Sequence, residues 1–432
     1  DQWLDNHTWS NSMNARLSWT EPLGDPKKGH SLTFAYSANM RWNNSDRLTY
    51  DHPVEWPDGF DGDPVIGDEL IYNKELSNRF RNTYFNQDIR VGYRHTSAKS
   101  NLNVGISLVP QSSRSTNLVD NARSIPTRNV FNFAPFLRYR LKFNKHSSLN
   151  MFYSGRSSQP SMAQLQPVAD KSDPLNIVIG NPDLKPSFSH NMNVRYQNFN
   201  MESQRSVMVM AFANMTQNSI ISRTTFNSTT GGRTTTYENV NGTWNVHAMT
   251  MFSQPLRNKA FTFNNHLMVF YSRGVGYNNG ERNVSSNYNL NESFGFAWRP
   301  ENLELELRPR YSLQHVTNSL ASQPGRTVHN YGGMFNATYY APFGLVISSD
   351  LNYTATTGYS AGYDTNEWMW NASLSYQFLS GRAATVSLKA FDILQQRSNV
   401  SRSLTANYID DSRFNSLTRY FMVSFSYKFN TF

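Results

Sequence analysis

The last stretch of the chain, from Arg419 to Phe429, limits the possible fold more than any other segment. Apolar and polar side chains alternate along it, and a period of two is typical of a β-strand whose two faces meet different surroundings. One set of alternate positions is Phe421, Val423, Phe425, Tyr427 and Phe429, and the other is Tyr420, Met422, Ser424, Ser426 and Lys428. At the end of a long all-β chain, this pattern predicts an aromatic face against lipid and a polar face toward a lumen. Because an unpaired backbone edge in hydrocarbon costs several kcal/mol per group, the preceding chain is expected to supply the rest of a closed sheet.

The composition fits such a sheet better than a membrane helix. The chain has 432 residues, enough for two or three soluble domains or for one large barrel. Only 38% of the residues are hydrophobic, and no run approaches the roughly 18 apolar residues of a spanning helix. A barrel strand needs an apolar residue only at every second position.

Charge and cysteine content exclude other classes of protein. The net charge of +9 is spread along the chain, without a Lys/Arg block that would predict nucleic-acid binding. The chain contains no cysteine, which suits an envelope protein that needs no disulfides. No signal peptide is visible at Asp1, so a mature or partial segment is expected.

The strands and their links show a regular alternation of length. The segment 32–43 alternates over roughly twelve residues, as a tilted membrane strand of about nine to eleven residues requires, whereas ordinary strands have about five or six. Short links are predicted near 97–100, 144–147, 201–204, 256–259, 300–302, 341–344 and 380–382. Long links are predicted near 46–76, 111–127, 159–186, 222–233, 273–284, 318–326, 356–366 and 395–415. Short turns on one rim and long loops on the other are typical of outer-membrane barrels, in which the short turns are periplasmic.

The strand count predicts a transmembrane antiparallel β-barrel with about 17 strands in this chain. Bacterial single-chain barrels have an even number of strands, so an odd number is expected upstream. Five more would give about 22, the size of plugged outer-membrane transporters. Residues 1–432 are therefore interpreted as one domain, the C-terminal portion of such a barrel, with a plug and the first strands outside this chain.

The charged faces of two middle strands predict the side chains that line the lumen. An arginine on the lipid face costs roughly 2–4 kcal/mol at the midplane, so charged positions should point inward. The lumen-facing candidates are Arg138, Arg140, Lys142, Glu304, Glu306, Arg308 and Arg310. They could contact an anionic substrate, or they could pair with each other or with a plug. Pro135 and Pro309 lie inside the same strands, where proline removes a ladder donor, and are expected at bulges or at a rim.

The first long link supplies the candidates for an extracellular site, namely Trp56, Asp58, Phe60, Asp61 and Asp63. Its aromatic residues could stack on a sugar or a partner, or could simply be exposed. Its carboxylates, together with Asp51, Glu55, Asp68 and Glu69, could hold Ca²⁺ through oxygen ligands, the alternative being a solvated loop. No other metal or cofactor is expected, because the ten histidines lack the spacing of a zinc site.

A nucleophile-elbow pattern at Gly358–Gly362 does not predict an enzyme. The pattern requires a strand before it and a helix after it. The segment that follows, 368–378, alternates as a strand. No catalytic residue is therefore expected.

Two segments carry a resemblance to a known family. The segment 156–186 contains Gly180-Asn181-Pro182-Asp183-Leu184-Lys185-Pro186, and the tail has Thr405–Asp411 followed by Arg419-Tyr420-Phe421. Together they resemble TonB-dependent receptors, and more narrowly the Bacteroidota outer-membrane β-barrel family. Ser187 departs from the acidic residue usual in that family. Physically, Asn-Pro and Lys-Pro are turn sequences, which also suit a rigid loop entering a strand.

The resemblance implies a transporter of the bacterial outer membrane that imports a bulky nutrient, such as a siderophore or a glycan. It implies outer-membrane lipids and lipopolysaccharide as surroundings, and TonB as a partner through a segment upstream of Asp1. The alternative is a structural or accessory barrel subunit of an assembly or secretion complex, with surface lipoproteins or other envelope subunits as partners. A soluble all-β binding protein is the third hypothesis.

Overall fold

The computed structural model describes residues 2–51, 54–55, 65–66, 70–167, 175–359, 364–397, 400–404, 409–413, 415 and 417–429. Nearly all regular structure in them is β-strand. The one α-helix described is Met162–Leu165, and short 3₁₀ helices lie at Pro26–Lys28, Asn121–Arg123 and Ser380–Arg382. Among the described residues, no helix has the length and apolar character to cross a membrane.

Seventeen long strands form one antiparallel sheet. In chain order they are β1 Gln2–Pro22, β2 His30–Asp51, β3 Asn78–Thr96, β4 Ser100–Asn117, β5 Ile125–Lys142, β6 Ser147–Ser158, β7 Ser187–Asn200, β8 Arg205–Gln217, β9 Thr243–Pro255, β10 Phe261–Asn278, β11 Glu281–Trp298, β12 Leu303–Asn318, β13 Arg326–Tyr340, β14 Leu345–Thr357, β15 Thr365–Phe378, β16 Ala384–Phe391 and β17 Tyr420–Tyr427. Each strand pairs with the next along the chain. The predicted fold class and strand number are thus confirmed. Among the described residues no pairing joins β1 to β17, and a total of 22 strands stays a prediction.

Shorter strands lie in the links between the long ones. Ile71–Tyr72 pairs with the end of β2. The pairs Val54–Glu55 with Val65–Ile66, Ser219–Phe226 with Arg233–Val240, and Val400–Leu404 with Ile409–Arg413 are antiparallel, and Asn176–Val178 runs parallel to Arg233–Thr235. The three antiparallel pairs and Asn176–Val178 form small sheets in the loops, whereas Ile71–Tyr72 extends the main sheet.

The two faces of the sheet differ as the alternation predicts. On the apolar face, Phe34 of β2 lies opposite Trp19 of β1 and Val91 of β3. Large side chains on this face are exposed, with Trp19 at 65% and Val423 at 73%. A water-soluble protein would bury such a continuous apolar band, so the band requires a cover of lipid.

The height of the apolar face matches a membrane, and the strands extend beyond it. On β1 the face runs from Trp19 to Trp9, which is about 34 Å along the strand at roughly 3.4 Å per residue. A tilt of about 40° reduces this to about 26 Å, close to the roughly 25 Å band of outer-membrane barrels. The predicted strand length of about twelve residues was too short, since β1 has 21 residues and β2 has 22. Beyond the band, polar residues such as Asp5, Asn6 and His7 of β1 occupy both faces, so the period of two ends there although the strand continues.

The four longest links all lie on one rim, as predicted, although the shorter links of the two rims overlap in length. The short-turn rim carries the links 23–29, 97–99, 143–146, 201–204, 256–260, 299–302, 341–344 and 379–383. The long-loop rim carries 52–77, 118–124, 159–186, 218–242, 279–280, 319–325, 358–364 and 392–419. The predicted long link at 273–284 was wrong, because β10 and β11 continue to a tight turn of Asn279 and Gly280. Both residues have positive φ, 45° and 81°, as a type I′ hairpin turn requires.

The two interior prolines lie neither at a rim nor at a bulge. The pairing of β5 with β6 ends at Phe136 opposite Ser154, so Pro135 falls just beyond the last pair. Pro309 interrupts the pairing of β11 with β12 between two regular stretches without an extra residue on either strand. In both places a missing N–H donor is tolerated because the ladder is locally open.

Candidate functional site

The polar face of the sheet contains a cluster of arginines without ion-pair partners among the described residues, which we call the arginine recess. Its lining comprises Arg94, Asn101, Asn103, Arg138, Arg140, Asn150, Phe152 and Asn193, around a volume of about 660 Å³. The register brings these residues together: Arg140 lies opposite Asn101 of β4 and Asn150 of β6. The recess lies near the short-turn rim, between the turns 97–99 and 143–146.

The charges of the recess have no acidic counterpart among the residues that the structure describes. Arg94, Arg138 and Arg140 form no ion pair within that part of the chain. The guanidinium of Arg138 lies 5.6 Å from the centre of the Phe152 ring, which holds it by a cation–π contact. Arg195 adds a fourth cation on the polar face, opposite Asn150. Clustered cations in a concave surface attract anions, and arginine and asparagine N–H groups are suited to bind their oxygens.

Three of the four charged side chains on the polar face of β12 take part in ion pairs instead. Glu306 forms ion pairs with Arg308 and with Arg299, the latter at 3.6 Å from Nη2 to Oε2, and Arg299 also pairs with Glu304. Arg310 donates to Asn352 Oδ1 at 3.2 Å and to Thr354 Oγ1 at 2.5 Å. The hypothesis of mutual pairing therefore describes Glu304, Glu306 and Arg308, whereas among the described residues it describes neither Arg310 nor the arginine recess.

The predicted lumen-facing residues thus fall into two groups. All seven lie on the polar face, with Lys142 at the end of β5 opposite Ser148. Contact with a substrate stays a prediction for each. Sequence patterns on a single strand did not identify Arg94 and Arg195 as members of the cluster, although Arg94 alternates with Arg90 and Asp88 on β3. Their proximity depends on the register between strands.

At the long-loop rim, two loops pack into a structure that we call the outer cap, formed by residues 159–167, 175–186 and the hairpin 219–240. Leu165 and Leu184 are its most buried side chains, at 2% and 1% exposure. Tyr84, Ile125, Ile220 and Tyr237 pack against them. Tyr84 lies on the polar face of β3, so the outer cap contacts the wall of the lumen.

The Gly-Asn-Pro-Asp-Leu-Lys-Pro motif joins these two loops. Asn181 Nδ2 donates to the Tyr237 carbonyl at 2.9 Å. Asn239 accepts from the Lys185 backbone N–H at 2.7 Å and donates to the Lys185 carbonyl at 2.9 Å. A Cβ on Gly180 would lie 2.3 Å from the Gln166 carbonyl oxygen, so only glycine fits there. The motif serves as a rigid loop connection, which is the structural alternative predicted from its turn residues.

A charged triad holds the hairpin of the outer cap against the projecting end of β10, beyond the apolar band. Arg223 Nη1 lies 2.7 Å from Glu238 Oε1, and the Tyr277 hydroxyl donates to Glu238 Oε2 at 2.6 Å. These two donors stabilise the carboxylate, and the Tyr277 hydrogen bond followed by that of Arg223 lowers the pKa of Glu238. The same bond raises the pKa of Tyr277.

The candidates of the first long link, Trp56, Asp58, Phe60, Asp61 and Asp63, lie outside the described residues, as do Asp68 and Glu69 of the proposed Ca²⁺ loop. The same holds for 360–362 of the nucleophile-elbow pattern. Within the described part of the chain, no group of three or more His, Cys, Asp or Glu residues could hold a metal ion. The Ca²⁺ site and the absence of catalysis stay predictions.

A family model supports the assignment of the fold. The model described as the outer membrane protein beta-barrel family matches residues 4–324 and 281–427, which together span nearly the whole chain. The chain belongs to this family. As an outer membrane beta-barrel protein, it lies in the bacterial outer membrane, with its apolar face against the lipid. A search of the curated proteins finds none that matches it.

Solved outer membrane proteins resemble this barrel at low identity. The outer membrane transporter YddB of Escherichia coli has a TM-score of 0.40 and 13% identity, over 99% of this chain and 55% of its own. The siderophore receptor PirA of Acinetobacter baumannii has a TM-score of 0.35 and 11% identity, over 93% of this chain and 62% of its own. The beta-barrel protein therefore spans about half of YddB and less than two thirds of PirA.

Proposed function

We propose that this chain forms the barrel wall of an energy-coupled importer that takes a bulky nutrient, such as a siderophore or a glycan, across the outer membrane. The observation that carries the proposal is the width of the polar face. Barrels of about eight strands fill their interior with their own side chains, whereas about sixteen to eighteen strands leave an aqueous channel. A sheet of 17 strands, once closed into a barrel, would therefore be wide enough to leave an aqueous channel.

The arginine recess favours the proposal that the imported solute carries anionic groups. Three guanidiniums that form no ion pair in the described part of the chain line it together with four asparagine side chains, and such donors favour carboxylate, phosphate or sulfate oxygens over neutral surfaces. A wall with a purely structural role would gain more from ion pairs such as those of β12, because unneutralised like charges repel each other.

Coupling to TonB and the presence of a plug are proposed from the resemblance to TonB-dependent receptors. The position of the outer cap fits this proposal, since the cap covers part of the long-loop rim through which a solute would enter. A Ca²⁺ ion in the first long link and contacts with surface lipoproteins are further proposals at the same rim.

The experiment is an uptake assay on cells that carry or lack the full-length protein. Cells are offered a panel of radiolabelled ferric siderophores and oligosaccharides, with and without an uncoupler of the proton gradient. If the protein imports a nutrient, at least one compound should accumulate in the cells, and its accumulation should require both the protein and the proton gradient. Loss of an envelope complex on deletion, with no change in the uptake of any compound, would instead support an accessory subunit.

A further inference from the structure

The polar face of β8, β9 and β10 carries a group of soft side chains, which we call the Met/His patch. The register aligns them in rows across the three strands. One row is Met210, Met249 and Met268, the next row toward the short-turn rim is Met208, Met251 and His266, and the next row toward the long-loop rim is Phe212, His247 and Phe270. Five methionines and two histidines thus adjoin one another on a wall that faces the lumen.

Polar side chains surround the patch on the same face of the sheet. On one side Asn193, Arg195 and Gln197 of β7 border it, and on the other side Asn289, Asn291 and Ser293 of β11 do. The rows above and below it are Asn214, Asn245 and Ser272, and Ser206, Ser253 and Asn264. A general apolar lining would continue across these strands, so the patch requires a local explanation.

The two histidines of the patch have unused ring nitrogens. Nε2 of His266 and Nε2 of His247 are buried and lack a hydrogen-bond partner among the described residues. The His247 ring stacks on Phe212 at 5.9 Å between ring centres. A buried polar atom without a partner costs free energy, and an imidazole nitrogen in this condition is able to bind a metal ion.

The ligand types determine which metal would suit the patch. Thioether sulfur and imidazole nitrogen are soft or intermediate ligands, and methionine favours Cu(I) over hard cations. Hard cations such as Ca²⁺ and Mg²⁺ require oxygen ligands, which the three rows do not contain. The three rows also contain neither cysteine nor carboxylate, which are common ligands of zinc beside histidine.

The spacing allows several sulfur atoms to converge. Side chains directly opposite in an antiparallel sheet have Cβ atoms about 4.5–5.5 Å apart. Met210, Met249 and Met268 are opposite one another on three consecutive strands, and a methionine side chain has three rotatable bonds. Met251, at 39% exposure, keeps the patch open to the lumen.

We propose that the Met/His patch is a binding site for a soft monovalent metal ion of the Cu(I) class, with Met210, Met249 and Met268 as its central ligands and His266 beside them. The site is a property of the wall and does not depend on import. A failure of metal binding therefore leaves the proposed transport function intact, and the reverse also holds.

The test measures the binding of Ag⁺, a redox-stable ion of the same class, to the full-length protein folded in detergent in chloride-free buffer. Titration calorimetry of the unsubstituted protein is expected to show a saturable site. The triple variant M210L/M249L/M268L, which keeps the apolar volume, should bind Ag⁺ at least tenfold more weakly. H266Q should weaken binding by a smaller factor.

The matched control is M13L/M192L/M215L, which changes three methionines on the apolar face that are 65%, 43% and 43% exposed. It should leave the affinity within twofold. Equal loss in both triple variants, or equal affinity of the unsubstituted protein and M210L/M249L/M268L, would overturn the proposal. A second measurement avoids substitution: with ¹³C-methyl methionine, the signals of the patch should shift on addition of Ag⁺ and the signal of Met13 should not. Uniform shifts would contradict a specific site.

Discussion

Neighbouring residues of one strand face different solvents, and β17 gives the clearest pair for a test. Phe425 is 65% exposed on the apolar face opposite Val386, while Ser424 lies on the polar face opposite Ser387. Lysine at a lipid-facing position costs about 2–4 kcal/mol near the midplane, so F425K should greatly reduce the folded fraction. S424K should change stability by no more than about 0.5 kcal/mol. Heat-modifiable mobility on gels measures the folded fraction, and equal tolerance of the two changes would invalidate the assignment of the faces.

The two groups of inward arginines should also differ in how much a single substitution weakens anion binding. Arg138 has no ion-pair partner in the described part of the chain, whereas Arg310 is bonded to Asn352 and Thr354. A fluorescent pyrene trisulfonate should therefore bind to the lumen less well in R138Q, by about tenfold if one charge-assisted bond of about 1.5 kcal/mol is lost. R310Q should reduce the affinity less than threefold. Fluorescence anisotropy provides the measurement, and a larger loss in R310Q would place the anion site elsewhere.

At the scale of elements, the outer cap should loosen in acid. The pKa of Glu238 is lowered because Tyr277 and Arg223 stabilise its carboxylate. The resulting stabilisation is complete above the ordinary glutamate pKa of about 4.3, and it is lost as the pH falls from there through the lower value of the folded protein. Hydrogen exchange of the amides in 233–240, corrected for intrinsic rates, should therefore accelerate at about pH 3 relative to pH 6. E238Q should exchange faster at pH 6 and show little further change, and an identical acid response in E238Q would exclude Glu238 as the cause.

The elements that the sequence predicts well are those with a regular pattern inside the bilayer. The short turns at 97–99 and 201–204 stand out because polar turn residues interrupt an alternation on both sides. The projecting ends of β10 and β11 were missed, since water surrounds both of their faces and no period of two marks them. The hairpin 219–240 was missed for the same reason, as its strands are rich in threonine on both faces.

The candidate sites were less predictable than the strands, because they depend on pairs of strands. The alternation on β12 correctly placed Glu304 and Arg308 on one face. No pattern within β8 alone shows that Met210 lies opposite Met249, which is 39 positions later by residue number. The register between strands is fixed by turns and by the long links, and their conformations cannot be read from residue types alone.

For the whole molecule, the decisive property is the orientation of the two rims. Residues 1–432 contain no cysteine, so within this part of the protein each introduced cysteine reports one position. Thr229 lies in the turn of the outer cap hairpin, at the long-loop rim, and His146 lies in the turn 143–146 of the short-turn rim. Long loops are extracellular in outer-membrane barrels. A membrane-impermeant maleimide should therefore label T229C on intact cells, and should label H146C only after the outer membrane is opened.

This orientation also decides what the interior surfaces meet first. With the long-loop rim outside, a solute reaches the outer cap before the arginine recess, which lies near the periplasmic turns. An anion bound there would be close to release into the periplasm, as the proposed import requires. Labelling of H146C, but not of T229C, on intact cells would place the arginine recess at the external mouth. The recess would then act in capture from the medium, and the proposed direction of transport would have to be abandoned.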